Sequence, residues 1–146
     1  MAAHPSDSTA QFKAEPLFKE QLRQLTGLSY SSERIKFDGT YVDVDAVGRN
    51  AAGEVVELAE IYARQNRLSG GQLKKPTDDA ARLLIARKHK YPTAQLRLAY
   101  STIVVEQIEK SWRGSFLGEI GVQLTPIELD AETVSEIRRA QERQTR

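Results

Sequence analysis

Apolar positions change period several times along the chain, and each change predicts an element. In AEPLFKEQLRQLTGL, Leu17, Phe18, Leu22 and Leu25 recur at helical spacing and Gly27 supplies a stop. SYSSERIKFDGT reads as a polar connector, with at most a short strand at Ile35 to Phe37. TYVDVDAVG then alternates with period two. That sets Tyr41, Asp43, Asp45 and Val47 on one face, and Val42, Val44 and Ala46 on the other. RNAAGE reads as a turn, and VVELAEIYA as the second arm of a hairpin.

Further on, ARQNRLSGGQLKKP is loop-like, and a helix is expected from an N-cap at Thr77, with Asp78 and Asp79 in its first turn. The pair Tyr91-Pro92 ends it. QLRLAYSTIVVEQ, rich in β-branched and aromatic residues, predicts a strand, and SWRGSFLGEIG a short helix stopped at Gly121. VQLTPIEL is a strand that Pro126 confines to a sheet edge, and DAETVSEIRRAQERQTR is a closing helix capped by Asp130 and fraying at its end. The order is helix, strand, strand, helix, strand, helix, strand, helix. It implies an α/β fold: a mixed sheet containing an antiparallel hairpin at 41–63, flanked by helices. Residues 1–14 are expected to be a disordered leader, since no basic start followed by an apolar run marks a signal peptide. Residues 15–130 form a single domain and 131–146 a C-terminal helix.

Composition narrows the chemistry. The chain has 146 residues, 40% of them apolar, and no cysteine. Disulfides and thiolate metal sites are excluded, which fits a reducing cytoplasm. No apolar run approaches the length of a membrane span. The only histidines, His4 and His89, are too far apart to suggest a shared metal, and Trp112 reads as a packing anchor. A net charge of +1 conceals an uneven distribution. Residues 64–97 carry nine Lys and Arg against Asp78 and Asp79, directly after an acidic hairpin. That arrangement suits a polyanion guided toward a cation-binding spot, although a solvated basic helix face produces the same pattern.

The hairpin carries the sharper signal. A carboxylate inside a sheet is costly unless it is paired or holds a metal. If the turn closes around Ala51 and Ala52, Asp45 lies across from Leu58 and Asp43 across from Glu60, with all three acids on one face. Cross-strand neighbours on one face are about 4.5–5.5 Å apart. Carboxylates so close repel, and Mg²⁺ or Mn²⁺ between Asp43, Asp45 and Glu60 relieves the conflict with hard oxygen ligands. Such an ion polarises a phosphoryl oxygen and activates water, so the favoured chemistry is attack on a phosphodiester. The plainer alternative is an edge hairpin whose acids meet solvent or arginines. In GGQLKKPTDDAARLL a Gly pair precedes a helix N-terminus, where free N–H groups attract anions. It lacks the GxxxxGK[ST] of a P-loop. Gln72, Lys74 and Lys75, together with Arg64 and Arg82, are the candidates for contact with a nucleic-acid backbone. No GxSxG or kinase motif set occurs.

A helix, a strand bearing Asp43 and Asp45, a hairpin to a strand bearing Glu60, then helix and strand, resembles the PD-(D/E)xK nuclease superfamily over roughly residues 16–129. The resemblance implies a restriction-endonuclease-like fold, a divalent metal, a nucleic acid (DNA) as substrate, and Asp45 and Glu60 as catalytic acids. Domains of this size in that superfamily often work with a partner or a second copy, so a homodimer or a larger complex is implied as well. One position departs: the superfamily's lysine, two residues after the second acid, is Tyr62 here. A neutral tyrosine supplies no positive charge. Three explanations stand. Lys74 (the first choice), Lys75 or Arg64 substitutes; the metal alone activates water; or the site is dead and the scaffold serves as a nucleic-acid-binding or protein-interaction subunit.

Overall fold

Ala14, Phe18 and Leu22 recur every four residues and form the buried stripe of the first helix, α1 (Pro5–Thr26), in a computed structural model that describes residues 5–144. Leu17 and Leu25 lie off that stripe and are exposed, Leu25 by 63%. Gly27, at φ 76°, ends the helix as its position suggests. The helix begins well before residue 15: residues 5–14 of the expected leader are helical, with Pro5 at the first position, where its missing N–H costs nothing. Residues 1–4, with His4, and the final two residues of the chain lie outside the described residues.

Next come β1 (Ser29–Phe37), β2 (Thr40–Arg49) and β3 (Val55–Tyr62), then a 3-10 turn at Gly70–Lys74. The chain continues as α2 (Lys75–His89), β4 (Gln95–Ser101), α3 (Thr102–Glu109), α4 (Trp112–Glu119), β5 (Val122–Ile127) and α5 (Ala131–Gln144). The fold is mixed α/β. Its five-stranded sheet runs in the order β1-β2-β3-β4-β5, antiparallel from β1 to β3 and parallel from β3 to β5, with helices flanking it.

Two elements differ from the pattern-based expectation. The connector before Gly39 is a full edge strand, and Ile35 is its one fully buried residue. The strand foreseen over QLRLAYSTIVVEQ stops at Ser101, and TIVVEQIE turns into α3. Val104, Val105 and Ile108 share one buried helical face there, and that burial outweighs the β-preference of the branched residues. Asp130 caps α5 as foreseen, accepting from the Thr133 N–H at 2.9 Å. Pro126 sits in β5, at the sheet edge.

Apolar side chains divide between the two faces of the sheet. Leu58, Leu96, Leu98 and Tyr100 pack against Ala80, Leu83 and Ala86 of α2 and against α3 and α4. On the opposite face Ala46, Ala59, Ile61 and Ala99 meet Phe18 and Leu22 of α1. Methyl-sized residues on this face let the helix approach the sheet closely. The same face buries a polar cluster. Glu57, 3% exposed, pairs with Arg97 at 2.8 Å and accepts from the Tyr30 hydroxyl, while Arg97 also donates to Thr125 at 2.6 Å. Gly48 makes room for the Tyr30 ring: a Cβ there would lie 2.9 Å from Tyr30 Cε1. Among the described residues no helix is long and apolar enough to cross a membrane.

Replacing Arg97 with Leu leaves Glu57 buried without its cation. A loss of about 3–5 kcal/mol is expected, read as a lower denaturant midpoint with unchanged slope.

Candidate active site

Asn50 organises the turn between β2 and β3. Its side-chain oxygen accepts the N–H groups of Ala52 and Glu54, both at 3.0 Å, and Gly53 takes φ 80°. This loop is centred one residue later in pairing than a turn at Ala51 and Ala52. A bulge after it, where Arg49 faces Val55 but Gly48 faces Glu57, adds one more. Leu58 therefore lies opposite Val47, not Asp45. The offset of two residues preserves the faces and brings Glu60 to the level of Asp45 instead of Asp43.

A second bulge lies within β2 itself. From Ser31 to Glu33 on β1 is two steps, but their partners Val47 and Val44 are three apart. The extra residue falls at Asp45–Ala46, opposite Ser32, whose hydroxyl donates to the Asp45 carbonyl at 3.0 Å. A bulge bends its strand and resets the alternation. Val44 and Val47 both join the core under α2, whereas Ala46 faces α1. The single face expected for Asp43, Asp45 and Val47 is thus broken.

Beyond the bulge the two strands part. Pairing of β2 with β3 ends at Ala46 and Ala59; Thr40–Asp45 continue along β1 alone, and Glu60–Tyr62 along β4 alone. At this fork each carboxylate caps the other strand. Asp45 Oδ2 accepts from the Ile61 N–H at 2.9 Å, and Glu60 Oε2 accepts from the Asp45 N–H at 3.3 Å. Glu60 is 3% exposed, and its Oε1 is buried with no hydrogen-bond partner. Burial first, then the hydrogen bond and charge of Asp45, then the charge of Asp79, push the Glu60 carboxyl up to about 10. The Glu60 carboxyl therefore keeps its proton at neutral pH.

Asp43 does not join them. It is exposed and pairs with Arg34 at 2.8 Å, while the guanidinium of Arg34 lies 3.8 Å from the ring centre of Tyr41. Among the described residues no group of three or more His, Cys, Asp and Glu is placed to hold a metal. Of the expected set Asp43, Asp45 and Glu60, the fold therefore brings together only Asp45 and Glu60. Two carboxylates, one with an unpartnered buried oxygen, do fit a hard cation such as Mg²⁺, which keeps several of its waters.

α2 supplies the positive charge. It starts at Lys75, three residues earlier than a cap at Thr77 would give; Pro76 occupies its first turn, and the Thr77 hydroxyl donates back to the Lys74 carbonyl at 2.9 Å. Lys75, Asp79 and Arg82 then share a face. Asp79 is fully buried and accepts from the hydroxyl of Tyr100, from Arg82 at 2.5 Å and from Lys75 at 3.1 Å. Burial raises its carboxyl above the ordinary value, against the opposing pull of Lys75, Tyr100 and Arg82. The Lys75 ammonium also sits 5.0 Å from the ring centre of Tyr62, and Tyr62 meets Tyr100 edge to face at 5.5 Å.

An open cleft of about 580 Å³ lies beside this cluster, lined by Tyr62, Ser69, Gln72, Lys74, Lys75 and Asp78 among others. Gln72 closes the loop at its rim, accepting from the Ser69 N–H at 3.1 Å. Lys74 is exposed at the mouth. Arg64 turns away, donating to the Arg67 carbonyl at 3.4 Å, and Arg82 is committed to Asp79. Of the basic segment, Lys90 pairs with Glu33 and Arg97 with Glu57. His89 stacks on Phe37 at 4.8 Å, remote from any other histidine among the described residues. Asp79 and Tyr100 were read from the sequence as a helix-dipole acid and a strand residue. The spacing of Lys75, Asp79 and Arg82 on one helical face was the available signal for the first of them.

Comparison with known protein families, curated proteins and solved structures finds no match.

The folded chain keeps on Glu60 a proton that the unfolded chain releases near 4.5, and Asp79 is shifted in the same direction. Without metal, stability is therefore greatest at low pH on this account and falls as pH rises from about 4.5 toward 10. Denaturant unfolding between pH 5 and 9 should show this decline, and Glu60→Gln should flatten it and raise the melting temperature at pH 8.

Proposed function

We propose that the chain is a divalent-metal-dependent nuclease, or nuclease-like domain, of restriction-endonuclease-like fold in the PD-(D/E)xK superfamily, acting on DNA. The observation that carries the reading is the acid pair at the strand fork, where Glu60 Oε1 is buried without a partner beside Asp45. Asp45 and Glu60 would hold Mg²⁺ or Mn²⁺, the ion taking the place of the proton on Glu60. When bound, the ion supplies the charge that ionises the pair, polarises a phosphoryl oxygen and activates water.

The remaining groups do what this chain can do unaided. Tyr62 occupies the position two residues after Glu60 and brings no charge, but its ring carries the Lys75 ammonium above it. Lys75, not Lys74, is thus the cation nearest the place where the superfamily's lysine would rise. It would offset the negative charge that gathers on the phosphate as water adds to phosphorus and the phosphorus–oxygen ester bond breaks, leaving a phosphate end and a hydroxyl end. Lys74 and Gln72, at the cleft, would grip the backbone of the strand being cut. A second copy or a larger complex would complete the grip on a duplex, and a reducing cytoplasm is the proposed setting.

One observation favours a second reading. Lys75 is already engaged by Asp79, and Glu60 keeps its own proton, so neither leaves an unpaired buried charge that calls for a metal. On that reading the chain is a catalytically inactive nucleic-acid-binding or protein-interaction subunit.

Plasmid nicking in Mg²⁺ or Mn²⁺ decides between them. Wild-type protein is expected to nick, Glu60→Ala and Asp45→Ala to lose roughly 100-fold or more, and Lys74→Ala to weaken DNA binding more than cleavage. Equal nicking by wild type and Glu60→Ala assigns the activity to a contaminant. Calorimetric Mg²⁺ uptake that vanishes in Asp45→Ala supports the first reading; salt-sensitive DNA binding without metal uptake supports the second.

A further inference from the structure

The feature that the proposed reaction leaves without a role is Asp79, a carboxylate with no exposure at all, one turn into α2. Anchoring the helix does not require it. Ala80, Leu83 and Ala86 already seat α2 on the sheet, and the exposed Asp78 answers the helix dipole in the first turn. An apolar side chain at 79 would fill the space without the cost of burying a charge.

Its contacts divide the labour. The Tyr100 hydroxyl holds Oδ2, while Oδ1 is shared by Arg82 at 2.5 Å and Lys75 at 3.1 Å. Tyr100 is itself fixed: it is fully buried, pairs with Tyr62 across the parallel β3–β4 ladder, and touches the Tyr62 ring edge to face. The carboxylate therefore has one orientation. A lysine stem is flexible and seldom rests in one place. Here the Asp79 oxygen on one side and the Tyr62 ring on the other leave its ammonium a single seat. Arg82 neutralises Asp79 from the outer side, so Lys75 can engage a phosphate without leaving a bare buried charge behind.

We propose that Asp79, clamped by Tyr100, is a positioning residue that holds the Lys75 ammonium over Tyr62, two residues along β3 from Glu60, ready to meet the phosphate of a nucleic-acid strand. The inference rests on the nuclease reading for the phosphate; the seating of Lys75 stands on geometry alone.

Side-chain ammonium spectra of the full chain labelled with ¹⁵N-lysine test the seating directly. A slowly exchanging Lys75 signal, identified by its loss in Lys75→Ala, is expected in the wild type. It should disappear in Asp79→Asn, exchange several-fold faster in Tyr100→Phe, and persist in Arg82→Ala. Where Asp79→Asn melts too low to study, the near-isosteric Tyr100→Phe carries the test. In nicking assays Asp79→Asn and Lys75→Ala should each lower kcat roughly 100-fold, with little change in KM, and the double variant should lose no more than either alone. A Lys75 signal indifferent to both Asp79→Asn and Tyr100→Phe, or losses that multiply in the double variant, overturn the inference. Absence of Glu60-dependent nicking by the wild type instead sinks the nuclease reading, and the ammonium spectra still decide whether Asp79 seats Lys75.

Discussion

The exchange of caps between Asp45 and Glu60 governs the architecture around it. Where β2 leaves β3, two backbone N–H groups lose their sheet partners, and in a buried setting each would be costly. The carboxylate from the opposite strand takes up each one. Two acids can thus be buried at the fork because they complete the hydrogen bonding of the strands that carry them. The same exchange forces them together, and burial with that crowding raises the Glu60 carboxyl. Structural need and chemical potential reside in the same four oxygens.

Much of this was legible in the chain. Period-two alternation located β2, the acids flagged the hairpin, and Gly27, Gly121, Pro126 and Asp130 marked boundaries that the fold uses. Geometry that depends on a single inserted residue was not legible. The bulges at Val56 and at Asp45–Ala46 carry no compositional mark, yet between them they moved Asp43 out of the site and left Asp45 opposite Glu60. β1 was underestimated because an edge strand with solvent on its rim needs only Ile35 buried. α3 was mistaken because β-branched residues favour strands until a helical face of Val104, Val105 and Ile108 is buried.

The positive side of the site shows a different limit. Lys75, Asp79 and Arg82 are related by helical spacing, which one segment suffices to reveal. Tyr100 joins them only through the pairing of β3 with β4, set by a crossover from Tyr62 to Gln95 that local pattern does not encode. Lys75 faces Asp79 and Tyr62 because the helix starts there, with Pro76 fitting its first turn.

The connection from β3 to α2 is stitched from the far side. Gln107 of α3 accepts from the Leu68 N–H at 2.6 Å and donates to its carbonyl at 2.8 Å, and the Ser101 hydroxyl donates to the Arg64 carbonyl. Parallel pairing of β3 with β4 gives the molecule an order of assembly. The acids meet through a short hairpin, a local and rapid closure, whereas the lysine reaches its seat only after the crossover through α2 delivers β4. The burial that raises the Glu60 carboxyl is complete only when the rest of the sheet and α2 have arrived.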